Sequence, residues 1–288
     1  MSEGIKVKFT KMHGIGNSYV FVNLFEESLL ERRVSSLAQR VADVHMGIGS
    51  DGLILIGPSD RADFCMRIFN ADGSEGKNCG NGLRCLAKYV YERKLTDKKR
   101  FTVETLGGIV SVDVHPDEGR TVFSVTVDMG APHLRKQEVP MVGDPDSYTI
   151  DERVNIDGQP YWLTVVSMGN PHAVLFVPDV DAVPVSTIGP LIERAPLFPE
   201  RINVEFVQVK NRKEIDCRVW ERGSGVTQAC GTGACAAVVA GVLNGHLDRH
   251  VPVTVHLMGG DLEIVWAADS RVYMKGPAHT IADGKFDV

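Results

Sequence analysis

The sequence predicts an α+β protein of two structurally similar domains, each a curved mixed β-sheet wrapped around a central helix, with a candidate active site in the cleft between them. Three observations lead there. The segment Arg67-Ile-Phe-Asn-Ala-Asp-Gly-Ser-Glu-Gly-Lys-Asn-Cys79-Gly-Asn-Gly82 aligns without a gap on Arg218-Val-Trp-Glu-Arg-Gly-Ser-Gly-Val-Thr-Gln-Ala-Cys230-Gly-Thr-Gly233, at a constant offset of 151 residues. A second match, Phe101–Gly108 against Val253–Gly260, follows at an offset of 152. A Gly-Asn pair also precedes each cysteine, with Asn17 lying 62 residues before Cys79 and Asn170 lying 60 before Cys230. Three features repeated in one order at near-constant spacing mark two copies of one structural unit.

Taken along the chain, residues 1–10 alternate apolar and polar from Ile5 and read as a strand. An amphipathic surface helix is expected over 28–44, with Leu30, Val34, Leu37 and Val41 on its apolar side. After Cys79-Gly-Asn-Gly82, the positions Leu83, Leu86, Ala87 and Val90 recur at helical spacing and predict a helix to about Arg93. The polar stretch over 120–160 is the natural place for the first copy to end. In the second copy Asn203–Lys210 and Glu214–Trp220 read as strands. Ala234–Leu243 is apolar on every side and ends at Asn244-Gly245, so it predicts a helix buried all round with a clear C-terminal stop. Val251–Leu257, Asp261–Trp266 and Arg271–Met274 complete the strands around it.

The 288 residues carry a formal charge of -6, with 43% hydrophobic and 24% charged side chains. Those values exclude disordered and fibrous classes, and no basic stripe interleaved with aromatics offers a nucleic-acid footprint. No apolar run is long enough to span a membrane, and the start lacks an apolar signal core, so a cytoplasmic protein is expected. Six cysteines in such a chain are expected to be reduced thiols. Their spacings match no zinc or CxxC pattern, the remaining histidines form no cluster, and neither metal nor cofactor is expected. Gly47-Ile-Gly-Ser-Asp-Gly52 lacks the residues of a phosphate loop.

A cysteine followed by Gly-x-Gly at a helix start sits among backbone N–H groups that have no intrahelical partner. Those donors and the helix dipole favour a thiolate and can also cradle a carboxylate. Two such thiols flanking one small molecule suit stereoinversion, in which a base removes an α-proton from one face and an acid returns one to the other. Cys65, Cys85, Cys217 and Cys235 lie in strand or helix interiors and read as packing residues. His172 is fixed beside Asn170 by Pro171, which makes it the histidine best placed to tune a thiol. Glu221-Arg222 precedes Cys230 by the nine residues that separate Asn70 from Cys79. A racemase for a single-headed amino acid, a cysteine hydrolase using Cys79 with His172, and a non-catalytic clamp remain open on these grounds.

The motifs Met12-His-Gly-Ile-Gly-Asn17, Phe69-Asn-Ala-Asp-Gly-Ser74, Cys79-Gly-Asn-Gly82, Met168-Gly-Asn-Pro-His172, Arg201-Ile-Asn-Val204, Glu221-Arg-Gly223 and Ala229-Cys-Gly-Thr-Gly-Ala234 together resemble the diaminopimelate epimerase family over residues 5–277. The resemblance implies a pyridoxal-independent isomerase of LL- and meso-2,6-diaminoheptanedioate, serving lysine and peptidoglycan formation. It implies Cys79 and Cys230 as acid/base residues, with His172 adjusting Cys79 and Glu221 adjusting Cys230. Backbone at Gly80, Asn81, Gly231 and Thr232 would hold the reacting carboxylate. Asn17, Asn70, Asn170, Asn203, Glu221 and Arg222 would complete recognition of the diamino-dicarboxylic acid, with Arg222 on its distal carboxylate. A homodimer is implied as well. The corresponding division is 1–122 with 275–288, and 123–274. Four places depart from the commonest pattern: Ser18-Tyr19 replaces Asp-Phe, Met46 replaces the Thr of His-Thr-Gly, Gly52 stands where some relatives have a glutamine, and Val226 stands where an acid is usual.

Overall fold

The computed structural model describes residues 6–287. The chain divides into two compact units, one running to Val127 and resuming at Gly276, the other comprising Asp128–Lys275. The opening strand is β1 (Lys6–Gly14), and the first five residues of the expected strand lie outside the described residues.

The first unit contains β1, β2 (Asn17–Asn23), β3 (Gly52–Gly57), β4 (Phe64–Asn70), β5 (Glu75–Gly76), β6 (Arg100–Thr105), β7 (Gly108–Pro116), β8 (Val122–Asp128) and, from the far end of the sequence, β18 (His279–Asp287). Their order across the sheet is β18-β1-β2-β3-β4-β6-β7-β8. Only β2–β3 and β4–β6 are parallel. A parallel pair needs a crossover, and the two crossovers hold the unit's helices, α1 (Val34–Ala42) and α2 (Gly80–Glu92). Helix α2 touches both β1 and β7, which stand near opposite ends of the strand order, so the sheet curls around it.

Two details of this unit differ from the sequence reading. The surface helix is shorter than 28–44: a 3-10 turn, Glu31–Arg33, precedes α1, and Leu30 is 55% exposed. The buried face is Val34, Leu37, Ala38, Val41 and Ala42, and Leu30 lies ahead of the first helical turn, largely exposed. Helix α2 is buried beyond its apolar stripe, because Arg84 and Lys88 are buried too. Their stems lie among apolar groups while their charged ends find oxygen: Arg84 Nε donates to the Pro277 carbonyl at 3.1 Å, and Lys88 Nζ donates to the Val122 carbonyl and to Glu92.

The second unit contains β9 (Glu152–Ile156), β10 (Gln159–Ser167), β11 (Pro171–Phe176), β12 (Asn203–Asn211), β13 (Glu214–Glu221), β14 (Gly225–Val226), β15 (Val253–Leu257), β16 (Gly260–Trp266) and β17 (Val272–Gly276). The order β9-β10-β11-β12-β13-β15-β16-β17 has the same succession of directions as the first unit. Its parallel pairs, β11–β12 and β13–β15, again enclose the helices, here α3 (Val185–Glu193) and α4 (Gly231–Leu243). Helix α4 touches β10 through β13, β15 and β16, which accounts for its apolar surface on all sides. It ends at Asn244, as the sequence predicts. Helix α3 went unread in the sequence; Gly189 lets it lie on Trp220, where a Cβ would come within 2.5 Å of the indole. The predicted α+β class, a mixed sheet wrapped around a central helix and written twice, is the observed one.

Candidate active site

Within the first unit, Cys79 is the N-cap of α2. Its backbone is extended (φ −151°, ψ 109°), and its Sγ accepts the Gly82 N–H at 3.3 Å. Gly80 and Asn81 follow as the first helical residues, both buried. A tight turn between β1 and β2 places Ile15 and Gly16 at positive φ and aims Asn17 at this helix start. The Asn17 Oδ1 accepts Asn81 Nδ2 at 3.1 Å and lies 3.8 Å from Cys79 Sγ. The Asn17 Nδ2 donates to Asp51 Oδ2 at 2.9 Å, and the same oxygen accepts the Ser18 N–H at 2.6 Å. Asp51 therefore fixes which way the Asn17 amide faces. Tyr19, 6% exposed, brings its hydroxyl to 3.8 Å from Cys79 Sγ. Asn70 closes β4 and donates to Ser74 Oγ.

In the second unit Cys230 caps α4 in the same way (φ −117°, ψ 109°), accepting the Gly233 N–H at 3.3 Å. The Thr232 hydroxyl lies 3.4 Å from its sulfur. Glu221 ends β13, accepts the Thr227 hydroxyl at 2.5 Å and lies near enough to Cys230 for its charge to act on the thiol. His172 on β11 is fully buried, with Nδ1 at 2.7 Å from Glu205 Oε1 and Nε2 at 3.1 Å from Asn170 Oδ1. Asn203 pairs with His172 across β11–β12, donates to the Pro171 carbonyl and accepts the Arg222 N–H. The Arg222 guanidinium donates to the Glu200 carbonyl at 2.8 Å. The predicted residues thus gather in two sets, Asn17, Cys79, Gly80 and Asn81 in one unit, and Asn170, His172, Asn203, Glu221, Arg222, Cys230, Gly231 and Thr232 in the other. Asn70 and Arg222 are held at the margins by Ser74 and Glu200.

Electrostatics marks the buried cysteines. Burial, with Glu221 and Glu205 nearby, pushes the Cys230 thiol well above its ordinary range, so it rests protonated. Burial also raises the Glu221 carboxyl, against the pull of Thr227 and His172. Cys85 is pushed up to about 12 by burial and Cys217 is raised likewise, as packing thiols should be.

Three contributors were missed in the sequence: Asp51, Tyr19 and Glu205. A signal existed for two of them. Tyr19 follows its Gly-Asn pair at the interval by which His172 follows the other, and both sit on the matching strands β2 and β11. Glu205 is one acid inside the apolar run of β12, fully buried on both faces. Its counterpart in the first unit is Ile54: a Cβ at Gly82 would meet Ile54 Cδ1 at 2.6 Å, and a Cβ at Gly233 would meet Glu205 Oε1 at 2.6 Å. Glycine is required at both helix starts because the facing strand packs directly upon it. Among the described residues, no group of three or more His, Cys, Asp or Glu side chains is placed to hold a metal ion, and no helix is long and apolar enough to cross a membrane.

A family model described as diaminopimelate epimerase matches residues 9–135 and 164–281. The diaminopimelate epimerase of Bacillus licheniformis is 58% identical over 279 residues, covering 97% of this chain and 98% of its own. That of Geobacillus kaustophilus is 58% identical over 278 residues, covering 96% of each. Among solved structures, a hydroxyproline epimerase from Agrobacterium vitis superposes with TM-score 0.72 at 13% identity, over 98% of this chain and 93% of its own. A Bacillus anthracis phenazine biosynthesis protein of the PhzF family gives 0.71 at 17% identity, over 99% and 100%. These two distant likenesses speak to the fold.

Proposed function

Because this chain belongs to the diaminopimelate epimerase family, we propose that Cys79 and Cys230 are the two acid/base residues with which it interconverts LL- and meso-2,6-diaminoheptanedioate. The observation that supports this most is the pair of matched helix starts, each presenting a cysteine sulfur 3.3 Å from the N–H of a glycine three residues on. One thiolate takes the α-proton, the other thiol delivers a proton to the opposite face, and the two sulfurs exchange states. Burial and acidic neighbours favour the thiol form of Cys230, and which sulfur acts as base depends on the hand of the substrate.

Backbone N–H groups at Gly80, Asn81, Gly231 and Thr232 hold the α-carboxylate and stabilise the charge that accumulates on it. His172 adjusts Cys79, and Glu221, whose charge already acts on Cys230, adjusts that thiol. Asn17, Asn70, Asn170, Asn203, Glu221 and Arg222 read the remainder of the substrate, Arg222 leaving the Glu200 carbonyl to pair with the distal carboxylate. No cofactor enters this scheme, and exclusion of water supplies part of the driving force. We assign the two sulfurs to separate domains, 1–122 with 275–288 and 123–274, and a cytoplasmic homodimer as the working form.

The test is incubation with LL-diaminopimelate in deuterated water without added cofactor. Meso product carrying one α-deuterium is expected. Absence of both isomer and exchange refutes the assignment.

A further inference from the structure

If the reading above is right, each sulfur must be held both as thiol and as thiolate, because it passes through both in every turnover. The contacts of the Cys79 sulfur include a rigid donor and a rigid acceptor. The Gly82 N–H at 3.3 Å can only donate, and so favours the thiolate. The Asn17 Oδ1 at 3.8 Å can only accept, and so favours the thiol. That amide cannot turn over to change its role: its Nδ2 is committed to Asp51 and its Oδ1 already accepts from Asn81. The third group is the Tyr19 hydroxyl, also 3.8 Å away, and a hydroxyl donates or accepts by rotating about one bond.

Cys230 likewise has a rigid backbone donor and a rotatable hydroxyl. The Gly233 N–H is its rigid donor, the Thr232 hydroxyl at 3.4 Å its rotatable group, and Glu221 a neighbouring acid whose charge disfavours the thiolate. The two hydroxyls do not come from equivalent places in the repeat. Tyr19 lies on β2, matching His172, whereas Thr232 lies in the first turn of α4, matching Asn81. Duplication would have carried one hydroxyl to two equivalent positions. Two hydroxyls reaching the two sulfurs from different elements reflect a requirement of the sulfur.

We propose that Tyr19 is a positioning residue for Cys79, its hydroxyl donating to the thiolate and accepting from the thiol as the proton moves, and that Thr232 serves Cys230 in the same way. The phenol keeps its own proton throughout: burial and the neighbouring Cys79 push Tyr19 well above the ordinary range. Asp51 also acts on Tyr19, and Cys85 on α2 is coupled to Cys79. On the other sulfur the charged neighbours are Glu221 and Glu205. A donor to an ionised group is stronger than an acceptor from a neutral one, so removing the hydroxyl penalises the thiolate more.

The experiment is alkylation of the full chain by iodoacetamide across pH, with labelling of each cysteine quantified by peptide mass spectrometry, beside α-deuterium exchange on LL-diaminopimelate. Tyr19→Phe is expected to raise the Cys79 alkylation midpoint by about one to two pH units and to slow exchange by roughly 10- to 100-fold. Thr232→Val should leave the Cys79 midpoint in place and slow exchange, with Thr232→Ser restoring it; this pair keeps the question open to test if Tyr19→Phe fails to fold. A Cys79 midpoint unmoved by Tyr19→Phe, or Thr232→Val exchanging at the wild-type rate, overturns the inference. A midpoint that moves in a chain with no α-exchange at all upholds the grip of the hydroxyl on the thiol and overturns the catalytic reading instead.

Discussion

Truncating Glu205 to alanine tests how the second unit holds its buried histidine. Both partners are 0% exposed and lie 2.7 Å apart, so His172 Nδ1 would lose its buried acceptor. The second carboxylate oxygen has no hydrogen-bond partner among the described residues, so the stabilisation rests on the single contact to the ring. A hydrogen bond to a charged group is worth about 1.5–3 kcal/mol. Removing one member of a buried pair costs about 3–5 kcal/mol once the stranded partner is included. At about 2–4 °C per kcal/mol for a unit of this size, the midpoint of thermal unfolding should fall by roughly 6–20 °C. All three tryptophans, Trp162, Trp220 and Trp266, belong to the second unit, so their fluorescence reports its unfolding alone. Glu205→Gln keeps an acceptor and the volume, and should cost about 1 kcal/mol. An alanine variant within about 1 kcal/mol of wild type in a urea titration, or a glutamine variant as costly as alanine, would refute the account.

Three further outcomes are expected. Cys79→Ser and Cys230→Ser should each lower epimerisation by about 10²–10⁴-fold while leaving tryptophan-detected unfolding in place, because a two-base mechanism needs both sulfurs; a serine variant at either position that turns over normally points to one-thiol chemistry. Arg222→Ala should abolish turnover of the two-headed substrate, measured by chiral chromatography; full activity would remove the distal-carboxylate role. Above about pH 9 the chain should lose stability. Cys85, Cys217 and Cys230 are raised above 9.0 when folded, with Cys85 reaching about 12, so the unfolded chain sheds their protons first. Stability is then complete below pH 9 and declines on the way to pH 12, by about 1.4 kcal/mol per pH unit for each thiol. Urea midpoints that stay level from pH 8 to 10.5 would contradict this.

The repeat made most of the fold readable. Cysteines at matched helix starts, apolar spacing in α2 and α4, and the strand segments of the second copy are all local patterns. What stayed hidden depends on tertiary packing. Leu30 has helical spacing relative to Val34 but lies largely exposed, and α1 begins later. Arg84 and Lys88 interrupt the apolar pattern of α2, yet carbonyl oxygens from distant segments let them be buried. Helix α3 contains Pro190 and sits where Gly189 meets Trp220, a fit no periodicity announces. In the site, the named motifs revealed the residues that differ between the copies only where both were polar. Glu205 against Ile54 is a polar-for-apolar exchange at one position, and it becomes visible once the strands are superposed through their glycine partners. Tyr19 passed as an aromatic strand residue because its use lies entirely in one hydroxyl oxygen.

Strand β18 has a consequence for the order in which the molecule folds. It occupies in the first sheet the place that β9 occupies in the second, with Lys6 opposite Asp287. The second unit is therefore one continuous run and can close its sheet from contacts made within it. The first sheet gains its outer strand only when residues at opposite ends of the sequence meet, a closure of high contact order that is slow on general grounds. During synthesis the first unit waits for the second to emerge and only then receives its last strand. Pulse-labelled amide exchange should accordingly find β10–β13 protected before β1 in refolding. The later duplicate then folds ahead of the earlier one, and a lesion in β18 would act as a defect in the assembly of the Cys79 helix start rather than as a loss at the periphery.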